Sequence, residues 1–281
     1  MIYDPPKASL CRFENFSMIP LRDNIPSRTT PVVNYTMIGL CALVFIGQLR
    51  DETDGRADLI EQYGMIPVRV LQPDEPIAIT EQVRVGGQIQ VQQREIAAPP
   101  FTPWLTLLTC IFLHGGWMHF LGNVWILYIF GDNVEDRIGH FGYFVFYLFC
   151  GLLASVAHLA FNSSSPIPTI GASGAIAGVM GAYFVLYPHA RVVTLIPIIF
   201  IHFIELPAPL FLGIWFLMQF FQGTIAAIGS ITSGLPTGGV AWWAHIGGFV
   251  AGCVIAYGLR RVGETSPPVE VTREPNPRRF R

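Results

Sequence analysis

Six stretches of this chain, at about 33–49, 104–130, 141–160, 171–188, 204–222 and 242–259, run with almost no charge. A helix needs roughly 20 apolar residues to cross the hydrocarbon of a bilayer, and a spanning segment must satisfy its backbone polar groups internally. The stretches therefore predict an all-α membrane protein, a bundle of six transmembrane helices with a long first loop at 50–103. Composition agrees, since 13% of the 281 residues are charged, about half the share of a soluble domain. Cys11, Cys41, Cys110, Cys150 and Cys253 are odd in number and scattered, which makes them small apolar residues and not a disulfide framework.

An even number of spans puts both termini on one side, and basic residues say which. Arg260, Arg261, Arg273, Arg278, Arg279 and Arg281 crowd the C-terminal end, whereas 161–170 and 223–241 carry no Lys or Arg. By the positive-inside rule both termini are cytoplasmic in a cell (inner or plasma) membrane. Residues 1–32 form a cytoplasmic N-terminal segment without a continuous apolar run, so no cleavable signal peptide is expected. Residues 33–260 form the membrane domain, and 261–281, with four prolines among charges, a disordered cytoplasmic tail. The 50–103 loop is extracytoplasmic; Ile77 to Ile96 alternates polar and β-branched residues around Gly86-Gly87, a short hairpin pattern within a polar insert.

Polar groups inside membrane spans are costly, which makes them functional candidates. Ser173 stands between glycines in Gly171-Ala-Ser-Gly174, and His119, Asn123 and His245 interrupt two other stretches. In the six-span topology the second, fourth and sixth helices start at the outer face. His119, Ser173 and His245 lie within a few residues of those starts, so all three share one shallow depth. Asn123 follows His119 by four residues and shares its helix face. Ser173 shares a face with Ala177 and Gly181, and His245 with Gly248 and Gly252; such small-residue stripes let membrane helices approach closely.

A serine hydroxyl needs an adjacent base to attack a carbonyl, and neutral imidazole is one. No Asp or Glu lies in the outer half of any predicted span, so the expected unit is a Ser173–His245 dyad. The first turn of the fourth helix offers unpaired N–H groups to an oxyanion, with His119 and Asn123 as further donors. Weighed singly, the bland readings are a helix N-cap for Ser173, an interfacial aromatic belt beside Trp242 and Trp243 for His245, and an interhelical bond for His119 with Asn123. The matched depth and the small-residue faces favour the joint reading. His114 and His119 are five apart with no Cys or carboxylate beside them, so no metal site is expected. Ala175 breaks the Gly-x-Ser-x-Gly pattern of soluble hydrolases.

Four segments carry a family resemblance: His114-Gly-Gly-Trp-Met-His119-Phe-Leu-Gly-Asn123, Gly131-Asp-Asn-Val-Glu135-Asp-Arg137-Ile-Gly139, Gly171-Ala-Ser173-Gly174 and Ala244-His245-Ile-Gly247-Gly248. The chain resembles the rhomboid intramembrane serine proteases of six-helix prokaryotic type over about residues 15–260. The resemblance implies Ser173 as nucleophile, His245 as base, and His119, Asn123 and the Ser173 backbone as oxyanion donors. It implies structural roles for His114, Glu135, Arg137, Gly171, Gly174 and Gly248, and a water-filled cavity open to the outside. Its partners are transmembrane protein substrates and the lipid bilayer, with no nucleic acid, metal or cofactor. The alternative is a catalytically inactive rhomboid-like protein that binds transmembrane clients. Two positions depart from the pattern: Leu105 follows Trp104 where members often have Arg, and Ala177 stands where some carry an aromatic supporting the histidine. The sequence therefore names no group that orients His245.

Glu135 and Arg137, two apart, cannot face each other on a helix and are expected to anchor loop ends at the inner boundary. Residues 223–241 are uncharged and rich in Gly, which suits a mobile cap following the fifth helix. That helix, with Phe211, Trp215, Phe216, Phe220 and Phe221, is the expected lateral gate toward the second.

Overall fold

The computed structural model describes residues 18–54, 59–85, 88–96, 98–198, 200–233 and 239–263. Its long helices are α1 (Val32–Asp54), α2 (Trp117–Ile138), α3 (His140–Phe161), α4 (Ser173–Leu186), α5 (Ala208–Ser233) and α6 (Trp242–Arg261). By length and composition α1, α3, α5 and α6 can each cross a membrane. Residues 103–112 and α2 pass the same test only as a pair bent by 78°, so the expected 104–130 span is two pieces. Gly115-Gly116 supplies the break, with Gly116 at φ 136°, a conformation that disfavours side chains.

Helix α4 has 14 residues, about 21 Å of rise against a hydrocarbon layer of about 30 Å. Its whole surface is packed: from Gly174 to Tyr183 every residue is buried. The stripe facing α6 is Gly174, Gly178 and Gly181, not the predicted Ser173, Ala177 and Gly181. A Cβ added to Gly248 would lie 2.0 Å from the Gly174 carbonyl oxygen, and one on Gly252 1.9 Å from that of Gly178. Backbone contact therefore replaces side-chain packing along the α4–α6 seam.

Two further expectations are corrected. Residues 131–140, which join the second and third apolar stretches and are expected as a loop, are helical except for Gly139 (φ 76°), which alone turns α2 into α3. The predicted cap at 223–241 is helical through Ser233; the extended apolar run carries α5 beyond the expected end. Residues 234–238 of that segment lie outside the described residues, as does the predicted tail from 264 onward.

Glu135 sits near the C-terminal end of α2 and accepts hydrogen bonds from the Val33 and Asn34 backbone N–H groups at 3.0 and 2.7 Å. A carboxylate there satisfies orphan donors of the first turn of α1 and complements the helix dipole. Its other contact is His140 at the start of α3, so one side chain joins three helices. Asn34 reaches the Leu127 carbonyl and accepts from the Tyr143 hydroxyl; Gly131 makes room, since a Cβ there would lie 2.1 Å from Asn34 Oδ1. Arg137 places its guanidinium over the Tyr187 ring, 5.5 Å from its centre.

Two small sheets flank the bundle. Strands β2 (Ala78–Val85) and β3 (Gln88–Glu95) pair antiparallel in the predicted hairpin, whose glycines lie outside the described residues. Arg94 fixes the hairpin to the short helix Leu59–Tyr63 through Glu61, at 2.6 and 2.9 Å. The second sheet is absent from the sequence reading: β4 (Arg191–Ile198) and β5 (Phe200–Pro207) form a hairpin between α4 and α5, and β1 (Ile19–Asp23) adds to β4. Strand β5 occupies the residues expected to open the fifth span. The Trp125 indole N–H donates to the Pro20 carbonyl at 2.7 Å and the Asn133 amide donates to Asp23 at 2.7 Å, so β1 runs alongside α2. Burial pushes the Asp23 carboxyl up to about 6, against the opposing effect of the bond donated by Tyr183.

Candidate active site

Three helix starts meet at one cavity of about 850 Å³ lined by α2, α3, α4, α5 and α6. Ser173 is the first residue of α4, His245 the fourth of α6 and His119 the third of α2. Ser173 Oγ lies 2.7 Å from His245 Nε2. The N-cap position of α4 is Ala172 and Ser173 is already the first helical residue, so the N-cap reading does not describe it. The close glycine seam between α4 and α6 is what brings a serine and a histidine 72 positions apart into contact.

Gly171, two residues before Ser173, has φ 127°, and a Cβ there would lie 2.7 Å from the His119 ring. Both conformation and space require glycine. The Gly171 N–H donates to the Cys110 carbonyl at 2.9 Å, which holds the α4 entry against the 103–112 segment. Gly174 is the first glycine of the seam with α6.

His119 and Asn123 line the same cavity. His119 Nδ1 accepts from the Gly115 N–H at 3.2 Å, so in the neutral ring the proton is on Nε2. The amide nitrogen of Asn123 is buried without an acceptor among the described residues, an arrangement that costs stability and leaves a donor free for a ligand. His114 is 1% exposed and lies behind His119, the two rings 5.4 Å apart and edge-on. Its backbone exchanges a reciprocal pair of hydrogen bonds with the Gln48 side chain at 2.9 and 3.0 Å, which pins the bend before α2 to α1.

Sequence reasoning missed four participants. Gln219 of α5 is buried, and its Oε1 lies 2.7 Å from His245 Nδ1. Trp215 and Trp242 flank the same imidazole at 5.8 and 6.3 Å between ring centres, where the sequence had only Ala177 to offer. His158 of α3 also borders the cavity. Gln219 and His158 were visible as polar residues in apolar stretches, the same criterion that picked out His119 and Asn123. Of the α5 rings, Trp215 faces the cavity, Phe216 stacks on Phe249 of α6, Phe211 packs toward Phe130, and Phe220 and Phe221 are exposed. Among the described residues no cluster of His, Cys, Asp or Glu has the form of a metal site.

A helical membrane bundle with a serine and a histidine paired in a cavity is the frame of a membrane-embedded hydrolase or an inactive relative of one. Residues 102–262 match the Rhomboid domain family model, and the chain belongs to that family. It is similar to Rhomboid protease GluP of Bacillus subtilis, 42% identical over 79 residues, which are 28% of this chain and 15% of that protein. It is likewise similar to Rhomboid-like protein 11, chloroplastic, of Arabidopsis thaliana, 37% identical over 78 residues, 28% of each chain. A longer match, 29% identical over 160 residues, joins 54% of this chain to 33% of RHOMBOID-like protein 4 of Arabidopsis thaliana. The alignments thus span a third or less of these relatives' lengths.

Proposed function

We propose that the protein is an intramembrane serine endopeptidase that cleaves transmembrane or juxtamembrane segments of other membrane proteins. The observation that carries this reading is the 2.7 Å contact between Ser173 Oγ and His245 Nε2 within a cavity lined by oxyanion-type donors. In the proposed reaction Ser173 Oγ attacks the scissile carbonyl carbon as His245 Nε2 takes its proton. The carbonyl oxygen becomes an oxyanion held by the Ser173 N–H, His119 Nε2–H and Asn123 Nδ2–H. The tetrahedral adduct collapses with His245 giving its proton to the leaving amine, and water then cleaves the acyl-serine by the same steps. An inactive client-binding relative has no need for an intact Ser–His pair, which favours the protease.

The substrate is read as a membrane helix that enters sideways between α2 and α5, since the cavity borders both, and unwinds locally near Ser173. Both termini are proposed to face the cytoplasm and the cavity the outside, because Arg260 and Arg261 end α6. Incubating the purified protein with a single-span membrane substrate, beside Ser173→Ala, is the test. Cleavage lost in Ser173→Ala supports the reading; cleavage retained there rejects it.

A further inference from the structure

A histidine base works only in one tautomer, and Ser173 touches Nε2. For that nitrogen to accept the hydroxyl proton, the ring proton must be on Nδ1. Dedicated serine hydrolases fix this choice with an acidic acceptor at Nδ1. None is present at this position: the group 2.7 Å from Nδ1 is the amide oxygen of Gln219. We infer that Gln219 is a positioning residue that holds His245 in the Nδ1–H tautomer and aims Nε2 at Ser173. The inference deepens the proposed function and rests on the Ser173–His245 reading.

The local sequence supports this role. Trp215, Gln219 and Gly223 follow at four-residue spacing and form one face of α5. Trp215 lies beside the His245 ring, Gln219 bonds it, and at Gly223 an added Cβ would come within 3.0 Å of the Trp242 side chain. The missing side chain at 223 lets α5 approach α6 closely enough for the amide to reach. Gln219 and His245 are both buried, so no bulk solvent competes for the Nδ1 proton. An unpaired buried amide is expensive, and this one has a function for its oxygen. The titratable groups facing His245 from the neighbouring elements are His119 of α2 and His158 of α3; neither touches Nδ1.

The inference ties catalysis to the position of α5. An outward swing of α5 that opens the bundle toward α2 withdraws the Nδ1 acceptor, and its return restores it. If a substrate enters by displacing α5, the chemical step requires the helix to re-dock.

The test uses the full chain in detergent, with a fluorophosphonate that labels an activated serine as one readout and cleavage of a single-span substrate as the other. Gln219→Met keeps length and volume without an acceptor; Gln219→Glu keeps the acceptor and adds charge. Gln219→Met is expected to slow labelling and kcat by about tenfold or more, with KM changed by less than about twofold. Gln219→Glu is expected to regain most of the rate at alkaline pH, with the midpoint of the pH profile moved up by about one unit because a carboxylate stabilises the imidazolium. Labelling of Gln219→Met at the parental rate with an unmoved profile overturns the inference. Equal losses in Met and Glu variants also overturn it, since α5 packing alone then explains them. Ser173→Ala separates the two levels: labelling or cleavage surviving there rejects the dyad itself, whatever Gln219 does.

Discussion

Ser173 and His245 touch through one hydrogen bond, and groups that act as a unit lose their effect together. Ser173→Ala is expected to abolish cleavage with the fold intact, His245→Ala to be nearly as damaging, and the double variant to be no worse than the worse single. Losses that multiply in the double variant would mean two independent contributions and no dyad. The base must be neutral to take a proton, so single-turnover cleavage is expected to rise as the pH is raised from acid values and to reach a plateau once the imidazole is neutral. Cleavage that is fastest at acid pH with chemistry rate-limiting removes His245 from that role. The buried Asn123 amide nitrogen has no acceptor among the described residues; Asn123→Ala is expected to lower kcat by about 100- to 1,000-fold with little change in KM. A fall in affinity alone would make it a substrate-binding group. These residues were legible in the sequence because polarity in an apolar span is conspicuous. Gln219 meets the same criterion, yet its partner follows only from the approach of α5 to α6, which no spacing rule within either helix encodes.

Helix α5 carries five large rings that one helix face cannot hold, and the structure sorts them. Phe216 stacks on Phe249 of α6 at 4.8 Å and Trp215 lies beside His245, whereas Phe220 is 44% exposed. If α5 is the gate and its opening limits turnover, the three alanine variants separate. Phe216→Ala is expected to speed cleavage of a membrane-embedded substrate and lower the thermal midpoint, because it loosens the seam to α6. Trp215→Ala is expected to slow cleavage by removing a wall of the imidazole, and Phe220→Ala to change it by less than about twofold. Slowing by Phe216→Ala in a folded protein leaves α5 without a rate-limiting gating role. Apolar length exposed most helices from sequence, but it did not mark their ends. The Gly115-Gly116 break falls inside an apolar stretch and the turn at Gly139 takes a single residue, so hydropathy marks neither and backbone dihedrals decide.

The molecule joins its helices at two levels: a glycine seam and cavity where α2, α4 and α6 begin, and a polar clamp at the far end of α2. The clamp includes an N-terminal strand that the sequence did not reveal, since Ile19–Asp23 is short and pairs with a hairpin some 170 residues later. Its key residue is Asp23, which accepts from Asn133 of α2 at 2.7 Å and from Tyr183 of α4 at 2.5 Å. Burial pushes its carboxyl from 3.8 up to about 6 in spite of those bonds. Between about pH 4 and 6 the folded protein therefore holds a proton at Asp23 that the unfolded chain has released. Its contribution to stability is largest below about pH 4, falls as pH rises through that window and is level above it. Two pH units correspond to a difference on the order of 2–3 kcal/mol. Asp23→Asn keeps an oxygen for both donors and has no proton to lose. Thermal unfolding in detergent from pH 4 to 7 is expected to give a midpoint difference, Asp23→Asn minus parent, that grows from near zero at pH 4 to its full value above pH 6. A difference that stays flat across that range, or one that favours the parent at pH 7, means that the Asp23 carboxylate is ionised in the fold and the clamp is held by charge.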